Sequence, residues 1–178
     1  GNPMLLSLEK LVQAGHLSTR DLEGAPVFPD DRVEFGPVIA FKNELLRKAF
    51  TNYDAKAPAR DRSALAHFCQ EQAYWLDDFA LFMALKEAHN LRPWHEWQPD
   101  LVQRQPEALT RWQASLGQEI ERQKYWQWQF FEQWLAVKSY ANEKGIHIIG
   151  DIPIFVALDS VDVWAIPHLF FLDEARQP

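Results

Sequence analysis

Only one stretch of this chain reads as a β-strand. Ile146-His147-Ile148-Ile149 is a short β-branched run placed directly after a long helical pattern and its stop at Gly145. The arrangement is that of a helix feeding a buried parallel strand, with His147 as an interior residue. A lone strand cannot satisfy its own backbone donors and acceptors. Its partners lie either in strands near residues 27–35 or outside this sequence.

The remainder reads as helix and loop. Ser7 is a plausible cap for a helix within residues 5–14, where Leu8, Leu11 and Val12 share a face and Gly15 ends it. Ser18–Leu22 reads as a capped helical turn. Residues 24–37 form an extended loop whose Val27, Phe28, Val33 and Phe35 want burial. Helices are expected over 38–53, 61–89 and 106–144, the last with Gly117 as a candidate interruption. The helix over 61–89 is apolar around so much of its circumference that it should be buried on two sides. Asp77 and Asp78 within it suit one buried ion pair and one solvated carboxylate.

Length and charge narrow the function. A chain of 178 residues can hold one domain with a core. It is too short for a complete (β/α)8 barrel, which needs at least about 200 residues. A net charge of −7 argues against a nucleic-acid partner but leaves a neutral ligand such as a sugar open. The single Cys69 permits no internal disulfide and fits a reducing, cytoplasmic setting. No run of about 18 apolar residues is present, so no membrane span is expected. The start at Gly1 fits a processed terminus, foreign residues before Met4, or a piece of something longer.

Chemistry-bearing candidates concentrate after residue 150. Asp151 follows the strand, where α/β folds place ligand-facing side chains; the alternative is a carboxylate that binds loop amides. Asp159, Ser160, Asp162 and Trp164 suit a sugar site, in which carboxylates take hydroxyl protons and the ring stacks on a sugar face. They equally suit a helix cap over a packed Trp. The aromatic run Trp126, Trp128, Phe130, Phe131 and Trp134 allows a carbohydrate platform or, at its helical spacing, a core stripe. Scattered histidines without HExxH or CxxC spacing point to no metal site, and the absence of a glycine-rich phosphate loop gives nucleotide binding no support.

Three stretches together carry a family resemblance. They are Gly1-Asn2-Pro3 followed by Leu5, Leu8 and Leu11; Tyr74 through Lys86, reading YWLDDFALFMALK; and Gly145 through Trp164, reading GIHIIGDIPIFVALDSVDVW. In order and spacing the chain resembles the 4-α-glucanotransferases, the amylomaltase or disproportionating-enzyme family. The resemblance implies an α/β fold: a helix-rich fragment of a (β/α)8 TIM barrel with helical insertions, centred on the third barrel strand. Residues 1–144 would then be mainly helical insertion, and 145–178 the third strand with its following loop and helix. It further implies retaining transfer of an α-1,4-glucan segment to an acceptor sugar through a covalent glucosyl–enzyme, with no cofactor or metal. The partners implied are a maltooligosaccharide and the remainder of the barrel. Asp151 matches the Asp at the carboxyl end of the third strand, a site-shaping residue rather than the nucleophile. Asp159, Ser160, Asp162 and Trp164 belong to the loop that follows. The family's nucleophile, acid/base and third acidic residue fall on later strands, so no catalytic residue is expected here and the segment alone should be inactive. Phe79, Leu158 and Ile166 depart from the family's usual residues, the last two weakening sugar contact by this loop. The alternative is a non-catalytic helical module that binds glucan or protein.

Overall fold

A computed structural model describes residues 1–173 and 176. Its regular structure is helical: α1 Leu8–Gln13, α2 Thr19–Leu22, α3 Phe35–Lys56, α4 Ala59–Glu71, α5 Ala73–Ala88, α6 Pro99–Val102, α7 Pro106–Ser115, α8 Gly117–Glu143 and α9 Val161–Ala165. The chain divides into two units, one of residues 1–70 with 125–148, the other of residues 71–124 with 149–178.

The first unit is built on an aromatic core. Leu11, Leu46, Ala49, Tyr53, Tyr125, Trp126 and Trp128 are buried together, with the Tyr53 and Tyr125 rings 4.8 Å apart. Trp126 and Trp128 therefore serve packing, and Trp126 Nε1–H is satisfied by the Leu46 carbonyl at 3.1 Å. The segment before α1 has no backbone ladder and is held by side chains instead. Gln133 accepts from Ser7 N–H at 2.8 Å and donates to the Ser7 carbonyl at 3.3 Å. Gln127 donates to the Gly1 carbonyl, and Lys42 Nζ donates to the Met4 and Leu6 carbonyls at 2.7 and 2.6 Å.

The second unit packs Leu81, Phe82 and Leu85 of α5 against Trp94, Trp97, Leu101, Val163 and Trp164. Its ion pairs join Asp77 to Lys124 at 2.8 Å and Asp78 to Arg104 at 2.6 Å. Asp77 is the solvated carboxylate, 59% exposed despite its ion pair, while the pair at Asp78 is half-exposed, at 43%, rather than buried.

The strand expected at 146–149 does not form, and there is no strand among the described residues. A strand exists only with a ladder partner, and the described chain offers none. Ile146 and Ile149 are 59% and 93% exposed, and His147 is exposed rather than interior. The helix expected over 38–53 begins at Phe35, because Pro37 in a first turn removes only a donor that would be unpaired anyway. The long helix over 61–89 is two helices that part at Gln72, which leaves helical geometry at φ −101°, ψ 7° and accepts from Trp75 Nε1. A hydrophobic period alone does not register such a break. The interruption foreseen at Gly117 is real and falls at Leu116, between α7 and α8. In the 24–37 loop Phe28 packs near Phe41, but Val27, Val33 and Phe35 are exposed, so that loop buries little.

Glycine was a reliable guide to helix ends. Gly15 and Gly145 have φ of +77° and +73°. His16 N–H reaches the Leu11 carbonyl and Ile146 N–H the Ala141 carbonyl, each at 2.9 Å. This is the six-to-one closure that requires a left-handed residue at the helix end.

Candidate functional site

The residues singled out after position 150 fall in the second unit, at its chain segment 149–173. Ser160 is extended at φ −138°, ψ 159° and its Oγ accepts from Val163 N–H at 3.4 Å, which caps α9. Asp162 sits in the first turn, where a carboxylate favours the helix N-terminus. Trp164 is 1% exposed. Its Nε1–H donates to the Leu101 carbonyl at 3.1 Å, and the Arg104 guanidinium lies 4.2 Å from its ring centroid. The ring is filled on its faces and edges by protein.

Asp159 uses both carboxylate oxygens internally. Oδ2 accepts from Lys86 Nζ at 2.6 Å and Oδ1 from Trp94 N–H at 3.2 Å. Trp94, itself 1% exposed, donates Nε1–H to the Leu158 carbonyl at 2.6 Å. Lys86 also donates to the Leu91 and Arg92 carbonyls at 2.9 and 2.8 Å. Leu91 has φ +62°, an uncommon conformation for a side chain of its size. The Lys86 side chain is 10% exposed. A charge so enclosed requires an opposite charge and filled hydrogen bonds, and here it has both.

Asp151 is different. It stands on an exposed arm, residues 149–157, and forms no hydrogen bond or ion pair among the described residues. Ile152, Ile154 and Phe155 on the same arm are more than four-fifths exposed. The structure therefore gathers Asp159, Ser160, Asp162 and Trp164 into one turn and leaves Asp151 apart from them. It also adds Lys86, Trp94 and Arg104, which sequence reasoning did not rank. One signal was present: Lys86 continues the apolar stripe Phe79–Phe82 at helical spacing, and a lysine on such a stripe needs a buried acceptor.

No group of three or more His, Cys, Asp or Glu side chains among the described residues is arranged to hold a metal ion. The first unit carries a largely apolar cavity of about 750 Å³, with Leu5, His16, Trp128, Phe130, Trp134 and Val137 among its lining. Trp128, Phe130 and Trp134 of the aromatic run line it, whereas Asp151, Asp159, Ser160, Asp162 and Trp164 do not. No helix among the described residues is long and apolar enough to cross a membrane.

Comparison with known proteins finds matches along the whole chain. An amylomaltase from Streptococcus agalactiae, solved in complex with acarbose, superposes on all of this chain with a TM-score of 0.93 at 36% identity, using 36% of its own length. The chain belongs to the 4-alpha-glucanotransferase family, whose model matches residues 1–176. Curated 4-alpha-glucanotransferases from a Synechocystis strain and from Thermus thermophilus are 45% and 44% identical to it, over 97% and 100% of the chain. The chain spans about a third of the length of these relatives.

Proposed function

We propose that this segment is part of the catalytic domain of a cytoplasmic 4-α-glucanotransferase built on a (β/α)8 barrel. The intact enzyme transfers an α-1,4-glucan segment to an acceptor sugar through a covalent glucosyl–enzyme. The observation that carries this reading is the match over the whole chain to an amylomaltase that binds acarbose, at an identity well above chance. Physical support comes from the arm. Ile146 through Ile149 has the pattern of a buried strand, and Ile152, Ile154 and Phe155 follow it, yet all of this lies open. A surface of that kind calls for more protein. Neighbouring strands on either side would complete its ladder, and the apolar cavity of the first unit would take further packing from the same domain.

In this reading residues 146–151 are the third barrel strand. Asp151 at its carboxyl end, free of internal bonds, accepts a sugar hydroxyl and shapes the site. Asp159, Ser160, Asp162 and Trp164 hold the following turn, and their contribution to the glucan is through its shape. Retaining transfer needs a nucleophile and an acid/base about 5–5.5 Å apart across the scissile bond. Asp159 and Asp162 are engaged in internal bonds and a helix turn, and in this reading the nucleophile and the acid/base come from later strands, as the family resemblance implies.

The test has two arms. The 178-residue chain alone should form no glucose or longer maltodextrins from maltotriose. Exchanged for the matched third of the Thermus thermophilus relative, it should support that disproportionation. Activity of the isolated chain, or an inactive but folded exchange protein, overturns the reading.

A further inference from the structure

We infer that Lys86 and Asp159 are positioning residues for glucan transfer, joining the turn after α5 to the loop that follows Asp151. This rests on the functional reading above and goes beyond it, since neither residue touches the reacting sugar. The geometry is specific. One ammonium group, on the last full turn of α5, binds the Leu91 and Arg92 carbonyls and the Asp159 carboxylate. The other Asp159 oxygen and the Leu158 carbonyl are both held by Trp94, through its backbone N–H and its indole N–H.

The consequence is mechanical. Residues 149–157 make no fixing bonds among the described residues of the second unit, so that arm is first held where Leu158 and Asp159 meet Trp94 and Lys86. In a barrel the loop after a strand faces the ligand. The position of that loop is then set by a charge on a helix of the insertion, not by residues near the sugar. The left-handed Leu91 fits the same account: its carbonyl is turned to the ammonium group, so the strained turn and the loop share one fastener.

The experiment uses the exchange protein described above, assayed well below its melting temperature and normalised to folded enzyme. Lys86→Met should lower kcat/KM for maltotriose by about ten- to a hundredfold, the range for displacement of a reacting group by about an ångström. The fall should reside mostly in kcat. Asp159→Asn keeps the acceptor for Trp94 N–H and should lose less. The double variant should be no worse than Lys86→Met alone, because both changes undo one fastener. Amide exchange should rise across 158–164 in Lys86→Met and stay unchanged in α8. A melting temperature that falls while kcat/KM per folded molecule stays within about twofold assigns the pair a structural role only and overturns the inference, as do additive losses in the double variant. An unsubstituted exchange protein that folds without activity overturns the functional reading, and the positioning role with it; an active one with an unaffected Lys86→Met overturns the positioning role alone.

Discussion

Residues 149–157 and 158–164 are consecutive and both rich in apolar side chains, yet their fates are opposite. In the first, Ile149, Ile152, Ile154 and Phe155 are open to solvent. In the second, Val163 and Trp164 are buried, Ser160 caps a helix, and Asp159 is bound at both oxygens. The side chains of the arm are no less hydrophobic than those of the turn. What differs is that α5, the 91–94 turn and α6 present a matching surface to the turn, while the described chain presents none to the arm. Apolar pattern states a demand for burial; only the rest of the chain can meet it.

The sharpest way to break that contrast is to truncate one large ring on each side. Trp164→Ala removes a fully buried indole and its bond to the Leu101 carbonyl, and should destabilise the second unit by about 3–5 kcal/mol. Phe155→Ala, on a side chain 89% exposed, should change stability by less than about 0.5 kcal/mol. Urea unfolding of the 178-residue chain, followed by amide exchange in α6 and α9, measures both. A large cost at Phe155 would mean that the arm is packed after all.

A smaller change asks what holds the boundary between the two stretches. Trp94→Phe keeps a buried six-membered ring, deletes the indole donor to the Leu158 carbonyl and leaves a void where the pyrrole ring was. The expected loss is about 2–4 kcal/mol, the cost of the unpaired acceptor plus that of the void. Exchange should quicken at 158–160 and stay as it was at 152–156, because the arm had no protection to lose. Gly145→Ala probes the other end of the expected strand. Its φ of +73° makes a methyl group cost about 1–2 kcal/mol. Gly150→Ala, with open space around the added carbon, should cost less than about 0.5 kcal/mol. Thermal melts of the two variants give the comparison directly.

The same contrast explains what could be read from the sequence. Helix ends were legible at Gly15 and Gly145 because a left-handed stop is a local requirement that glycine alone meets freely. The cap at Ser160 and the buried Trp164 beneath it were legible as one of two readings for the same reason. The break at Gln72 was not, because no glycine or proline marks it and the apolar stripe continues across it. The strand at 146–149 was legible as a pattern and absent as a structure, since β-pairing depends on chain elsewhere. Of the site, Asp159 was visible and Lys86 was not ranked. A carboxylate in a loop announces chemistry, whereas a lysine on an apolar helix face becomes informative only when its acceptors, which are 73 residues away in one case, are seen.

The first unit offers an interior counterpart to the arm, a group with one partner present and one missing. His16 is 5% exposed. Its Nδ1 pairs with the Tyr125 hydroxyl at 2.8 Å, while its Nε2 has no partner among the described residues. The groups facing it are Tyr53 and Tyr125 by ring contact and Asp61 by charge. Burial holds its pKa below the ordinary 6.5, with Asp61 pulling weakly the other way. A lowered value means that the fold prefers the neutral ring. That preference contributes in full above the unfolded value and is lost as pH falls through the depressed folded value. The urea midpoint of the first unit should therefore drop between about pH 7 and about pH 5. His16→Gln should flatten this part of the profile. A wild-type midpoint that held constant, or rose, on acidification would show that His16 is satisfied in its charged form, and that a missing partner carries less cost in this core than it does along the arm.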